Sequence, residues 1–156
     1  MFIGALGDLY RLVGRDREAR ARYSLVEHIG KLNELNGALY NRQLAMFLAD
    51  HDLKSAEAYE YAKREYAVRR DVYGADALAW TALKAGKLSE AQAAADAALK
   101  LGTRDAKIYY HTGMIALASG DKSRARDYLN RAIALSRHFD PFQEPNARRA
   151  LESASE

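Results

Sequence analysis

Apolar residues recur at three- and four-residue intervals along most of this chain, and short polar segments interrupt them. That periodicity is the signature of amphipathic α-helices, and it continues almost from the first residue to about residue 136. The interruptions predict where helices stop and start. They place eight helices in four antiparallel pairs, near 2–13, 16–30, 37–49, 53–70, 74–85, 88–100, 105–118 and 121–136. A ninth is expected near 144–154, opening around Pro145. It is more polar than the others, as befits a helix that covers the last apolar face of a stack.

Four of the interruptions share one form. They read Gly14-Arg-Asp-Arg-Glu-Ala19, His51-Asp-Leu-Lys-Ser-Ala56, Gly86-Lys-Leu-Ser-Glu-Ala91 and Gly120-Asp-Lys-Ser-Arg-Ala125, and their first residues lie 37, 35 and 34 positions apart. A period near 34 is that of a helix–turn–helix repeat. Each part has a physical reason. Glycine tolerates the left-handed conformation that ends a helix. An aspartate or serine then sits where it can cap the following helix. The small alanine lets two helices approach closely. His51 stands where the other copies have glycine, so the second turn must find another geometry or bear some strain.

These residues resemble the tetratricopeptide repeat family. Ile3, Leu6, Gly7 and Tyr10 fall at the spacing of its first helix, and Ala19 and Tyr23 at that of its second. Tyr109, Gly113, Ala116, Ala125, Leu129 and Ala132 repeat the frame, as do Ala75, Leu78, Ala79, Ala82, Ala91, Ala95 and Ala98 in an alanine-rich copy. The second copy, with Tyr40, Leu44, Phe47 and Ala56, is the most divergent. The resemblance covers roughly residues 2–137. It lacks the proline that the family often places at repeat junctions, although Pro141 follows the last copy. It implies one all-α domain over 1–156, a right-handed superhelical solenoid. The four repeats lie at about 1–34, 37–71, 72–104 and 105–138, with a capping helix at about 144–154.

It also implies a binding scaffold that holds a peptide or helix of a partner protein in a concave groove lined by the first helix of each pair. Carried onto this chain, the groove positions are Asp8 and Arg11, then Asn41 with Ala45 and Leu48, then Tyr73, Asp76, Trp80 and Lys84, then Lys107, Tyr110 and Met114. Aromatic and polar side chains of this kind suit peptide recognition, and for Trp80 and Tyr110 simple packing between repeats is an equal alternative. Gly4 and Asp8 stand where a clamp for a partner's C-terminal carboxylate would need lysine and asparagine. That mode of binding is not expected.

Composition narrows the chemistry further. The chain has no cysteine, which removes disulfides, thiolate nucleophiles and cysteine-bound zinc. No phosphate-binding loop, nucleophile elbow or zinc-protease motif occurs. His28, His51, His111 and His138 have no metal-ligand spacing and are expected to be solvated or capping. Asp50 and Asp52 are expected to cap. No enzyme activity, metal or cofactor is expected. The net charge of +3 is mildly basic. Arginines and lysines gather on the second helices (Arg15, Arg17, Arg20 and Arg22; Lys63, Arg64, Arg69 and Arg70; Arg124, Arg126 and Arg131), but interleaved acids make this a solvated face and disfavour nucleic acid.

No stretch is long and apolar enough for a membrane span, and no signal segment is visible, so a cytoplasmic location is favoured. The first repeat begins almost at Met1 without a polar helix ahead of it. Phe2, Ile3, Leu6 and Leu9 therefore mark either the edge of a longer array or a surface for self-association.

Overall fold

The computed structural model describes residues 2–36 and 41–155. Among them are nine α-helices and no strand: α1 (Phe2–Leu12), α2 (Asp16–Leu35), α3 (Arg42–Asp50), α4 (Ser55–Val68), α5 (Val72–Lys84), α6 (Leu88–Leu99), α7 (Ala106–Ala118), α8 (Lys122–Leu135) and α9 (Gln143–Ser155). The helices stack as successive pairs, α1 with α2 through α7 with α8, and α9 lies across the last pair. The predicted start of the third helix at 37, and Tyr40 with it, lie outside the described residues.

Capping divides the helices into two kinds. Asp71, Asp105 and Asp121 cap α5, α7 and α8 through side-chain oxygens that accept backbone amides. Helices α2, α4 and α6 begin at Arg15, Lys54 and Lys87 with no side-chain cap. The expected cap within the turn segments is therefore realised only at Asp121.

The glycine frame holds in three turns. Gly14, Gly86 and Gly120 have φ of +76°, +73° and +80°. The second turn is built differently. His51 has φ −105° and simply ends α3, while Asp52 takes the left-handed role at φ +54° and Lys54 takes a second one at φ +44°. This turn is one residue longer than the others, which shifts the following helix. The small residue at the helix crossing is then Ala58, fully buried like Ala91 and Ala125, whereas Ala56 is exposed.

The same crossings explain two glycines in the first helices. A Cβ on Gly7 would lie 2.5 Å from the Tyr23 ring, and one on Gly113 would lie 2.7 Å from Leu129 Cγ. Leucine and aromatic side chains of the second helix thus rest directly on first-helix backbone.

Leu44, Leu48, Ala58, Tyr61 and Ala62 form the core of the second repeat. Trp80, Tyr110, Leu129, Ala147 and Ala150 form that of the C-terminal end. Each large side chain buried this way contributes about 1.5–3 kcal/mol. Helix α9 buries Ala147, Ala150 and Ala154 and turns Arg148, Arg149 and Glu152 to solvent. Pro145 sits in its first turn, where the missing amide costs nothing. At the opposite end, among the described residues, Phe2, Leu9, Leu12 and Val13 at α1 are exposed, as are Leu32 and Leu35 on α2.

Candidate functional site

Helices α3, α5 and α7, each the first of its pair, also pack on one another, and the side chains along them follow from the frame just described. Counting back from each left-handed residue, Asp8, Met46, Trp80 and Met114 occupy one equivalent position, and Arg42, Asp76 and Tyr110 another. In the second repeat the extra turn residue moves the groove positions by one. Arg42 and Met46 replace Asn41 and Ala45 there. Asn41 instead donates a side-chain hydrogen bond to the Gly30 carbonyl, and Ala45 and Leu48 are buried in the repeat core.

An open cleft of about 370 Å³ lies where α3, α5 and α7 converge, lined by Arg42, Met46, Tyr73, Asp76, Asp105, Ala106, Lys107 and Phe139. Tyr73 is its most accessible side chain, 52% exposed. Three groove residues expected from the sequence, Tyr73, Asp76 and Lys107, meet in this cleft. Arg42 spans its floor, paired with the buried Glu65 at 2.9 Å and with Asp71 at 3.0 Å.

Trp80 and Tyr110 are not free groove surfaces. Both are only 2% exposed, so for these two the packing alternative is the one realised. The Trp80 indole donates to Asp50 at 2.9 Å and stacks on His111 with ring centres 4.4 Å apart. Tyr110 packs at a tilt against Trp80 and Phe139. Met114 lies beside them, partly buried in the same cluster. Lys84 lies over the Trp80 ring and pairs with Asp52 at 2.6 Å, so Asp52 serves as a salt-bridge partner.

A polar network runs behind the aromatic layer. His111 is fully buried, and its Nδ1 is 2.8 Å from an Asp76 oxygen. Asp50 accepts from Trp80 and from the Gln143 amide at 2.6 Å, and Lys107 reaches Asp140 at 2.9 Å and Asp50 at 3.9 Å. Burial raises the Asp50 pKa, and the nearby Lys107 charge and the Trp80 hydrogen bond do not fully offset it. Burial also works against charge on Asp140, but its bonds to Lys107 and to two backbone amides prevail and hold its pKa low. Burial opposes the Lys107 charge as well, yet its two acid neighbours outweigh it and keep that pKa above the ordinary value. His111 is thus not a solvated histidine, and Asp50 is not a cap. Neither is visible from the sequence as a network member, because the partners lie far away along the chain.

The first repeat contributes a separate tie. Tyr23 Oη and His51 Nε2 each lie 2.7 Å from an Asp8 oxygen, and His51 Nδ1 lies 2.7 Å from the Phe47 carbonyl. Both ring nitrogens face acceptors, an arrangement that suits the doubly protonated ring. Arg11 is exposed and rests over the Phe142 ring at 5.1 Å. Among the described residues no group of three or more metal-ligating side chains converges, and no helix is long and apolar enough to cross a membrane. On the outer helices Arg15, Arg64, Arg124 and Arg131 pair with Glu18, Glu34, Asp96 and Asp127.

Residues 77–141 match the family model for the tetratricopeptide repeat. No curated protein matches the chain significantly. Among solved structures it is similar to a thermophilic TPR protein of Thermus thermophilus. The two are 22% identical, the match covers 97% of this chain and 79% of that one, and the TM-score is 0.65.

Proposed function

We propose a protein-binding scaffold of the tetratricopeptide-repeat kind whose ligand, an extended peptide or a helix of a partner protein, enters the concave side at the cleft beside Tyr73. The cleft carries the proposal. It joins three successive repeats and offers one exposed aromatic ring, the Met46 side chain and charges of both signs from Arg42, Lys107, Asp76 and Asp105. A rigid aromatic with fixed polar groups gives contact area at low entropic cost. Peptides selected from a displayed library on the immobilised chain test it. Binding that falls at least tenfold in Tyr73→Glu supports the cleft, and undiminished binding removes it. Tyr73 is exposed, so this change leaves the core intact.

A second reading rests on the uncovered end. Along α1 and just beyond it the exposed residues Phe2, Leu6, Leu9, Leu12 and Val13 form a continuous apolar stripe. The other end is closed by the charged face of α9, which disfavours head-to-tail stacking. Two copies would therefore meet stripe to stripe about a two-fold axis. Sedimentation over a concentration series, with Leu9→Arg as the control, decides it. A strict monomer at every concentration rules it out.

A further inference from the structure

The segment between α8 and α9 has neither the repeat's periodicity nor its contacts. Residues Phe139 to Phe142, together with Gln143 at the start of α9, reach α1, α3 and α7. Phe139 packs against Tyr110 of α7, Asp140 pairs with Lys107 of α7, Phe142 lies under Arg11 of α1, and Gln143 donates to Asp50 of α3. Phe139 also forms a wall of the open cleft. The strap holds the same kind of contacts that a bound peptide would make: two aromatic side chains, one carboxylate and one amide donor.

We infer that this strap is an internal ligand, and that the partner peptide taken by the groove carries the same chemistry, an aromatic residue followed directly by an acid and then, two residues on, a second aromatic. This rests on the groove reading above and adds the ligand's identity to it. Lys107 gives the reason for the acid. With Asp140 gone, its nearest carboxylate would be Asp50 at 3.9 Å, so an incoming chain that displaces the strap must replace the close ion pair. The aromatic requirement comes from the Tyr110 ring on one side and the Arg11 guanidinium on the other, which favours an aromatic face. Strap and partner compete for one surface, so the strap lowers the apparent affinity of the closed chain.

The probe is a fluorescent peptide of residues 137–144, added to the full chain and followed by anisotropy. Phe139→Ala with Phe142→Ala empties both aromatic positions and leaves the Asp140 cap and the buried alanines of α9 in place. The peptide is expected to bind this variant at least tenfold more tightly than the unaltered chain. Lys107→Glu in the variant, or lysine for the acid in the peptide, is expected to cost at least tenfold. Equal binding to both chains, or no binding to a variant that melts cooperatively, overturns the inference.

Should the variant fail to fold, a bridge replaces it. The chain has no cysteine, so Arg11→Cys with Phe142→Cys can be linked by a short bis-maleimide that pins the strap. Library-selected, Tyr73-dependent peptides are then expected to bind the unbridged protein and lose tenfold on bridging; equal affinity overturns the inference. Tyr73-dependent peptides that lack the aromatic–acid pattern and ignore the bridge sink the strap proposal but leave the groove reading standing. A library that yields no Tyr73-dependent peptide sinks the groove reading itself.

Discussion

Gly113→Ala tests whether the repeats are held by direct contact between a second-helix leucine and first-helix backbone. The substitution adds one methyl group inside α7. Its Cβ would lie 2.7 Å from Leu129 Cγ, 2.9 Å from Cδ2 and 3.2 Å from the Leu129 backbone nitrogen. Two effects oppose each other. Alanine is better than glycine in a helix interior by about 0.8–1 kcal/mol. Overpacking a tight core costs about 1–3 kcal/mol. Leu129 is fully buried, and one of the close atoms belongs to the α8 backbone, so a side-chain rotation alone does not make room. The clash should win, leaving a net loss of up to about 2 kcal/mol. Urea denaturation followed by circular dichroism reads this as a lower midpoint. The sharper measurement is a cycle with Leu129→Ala, which removes the two nearest clashing atoms. Leu129→Ala alone should cost about 2–5 kcal/mol. In the Gly113→Ala background it should cost at least about 1 kcal/mol less, because the clash leaves with the side chain. A Gly113→Ala protein that gains stability, or a cycle that is additive, would refute the contact.

Three other outcomes follow from individual side-chain contacts. Burial alone would lower the His51 pKa, but Asp8 and the Phe47 carbonyl raise it above 6.5. A base held charged in the fold contributes stability that is full below about pH 6.5 and is lost as pH rises through the folded value. Melting temperature should therefore fall from that pH upward, and Asp8→Asn should flatten the fall. Trp80→Phe removes the indole donor to Asp50 and should cost about 1.5–3 kcal/mol in thermal melts, since the bond is to a charged group. Asp105→Ala removes the acceptor for the Lys107 and Ile108 amides and should cost about 1 kcal/mol by urea denaturation, with the fold otherwise unchanged.

The helices and their pairing are legible in the sequence because each depends on local spacing. Apolar residues three and four apart mark the helices, and Gly14, Gly86 and Gly120 mark three of the turns. The strap is not legible, because Phe139, Asp140 and Phe142 find their partners on helices far away in sequence, and only the Asp140-Pro141 pair carries a local signal, that of a helix start. Trp80 is ambiguous for a related reason: a large aromatic at a groove position is compatible with exposure until Tyr110, His111 and Lys84 are seen to pack on it. The second repeat misleads for a different reason, and it permits a test. Sequence spacing aligns His51 with the glycines, whereas the structure gives that role to Asp52. On the spacing reading, His51→Gly restores the repeat's own residue and should be harmless. On the structure, it removes a ring bonded to Asp8 and Phe47 and should cost roughly 2 kcal/mol. Asp52→Gly should be nearly neutral, since relief of a left-handed conformation, worth about 1 kcal/mol, offsets a largely exposed pair with Lys84. The two variants compared by urea denaturation separate the alignments. A benign His51→Gly beside a costly Asp52→Gly would reinstate the sequence frame and, with it, Asn41 in place of Arg42 on the inner face.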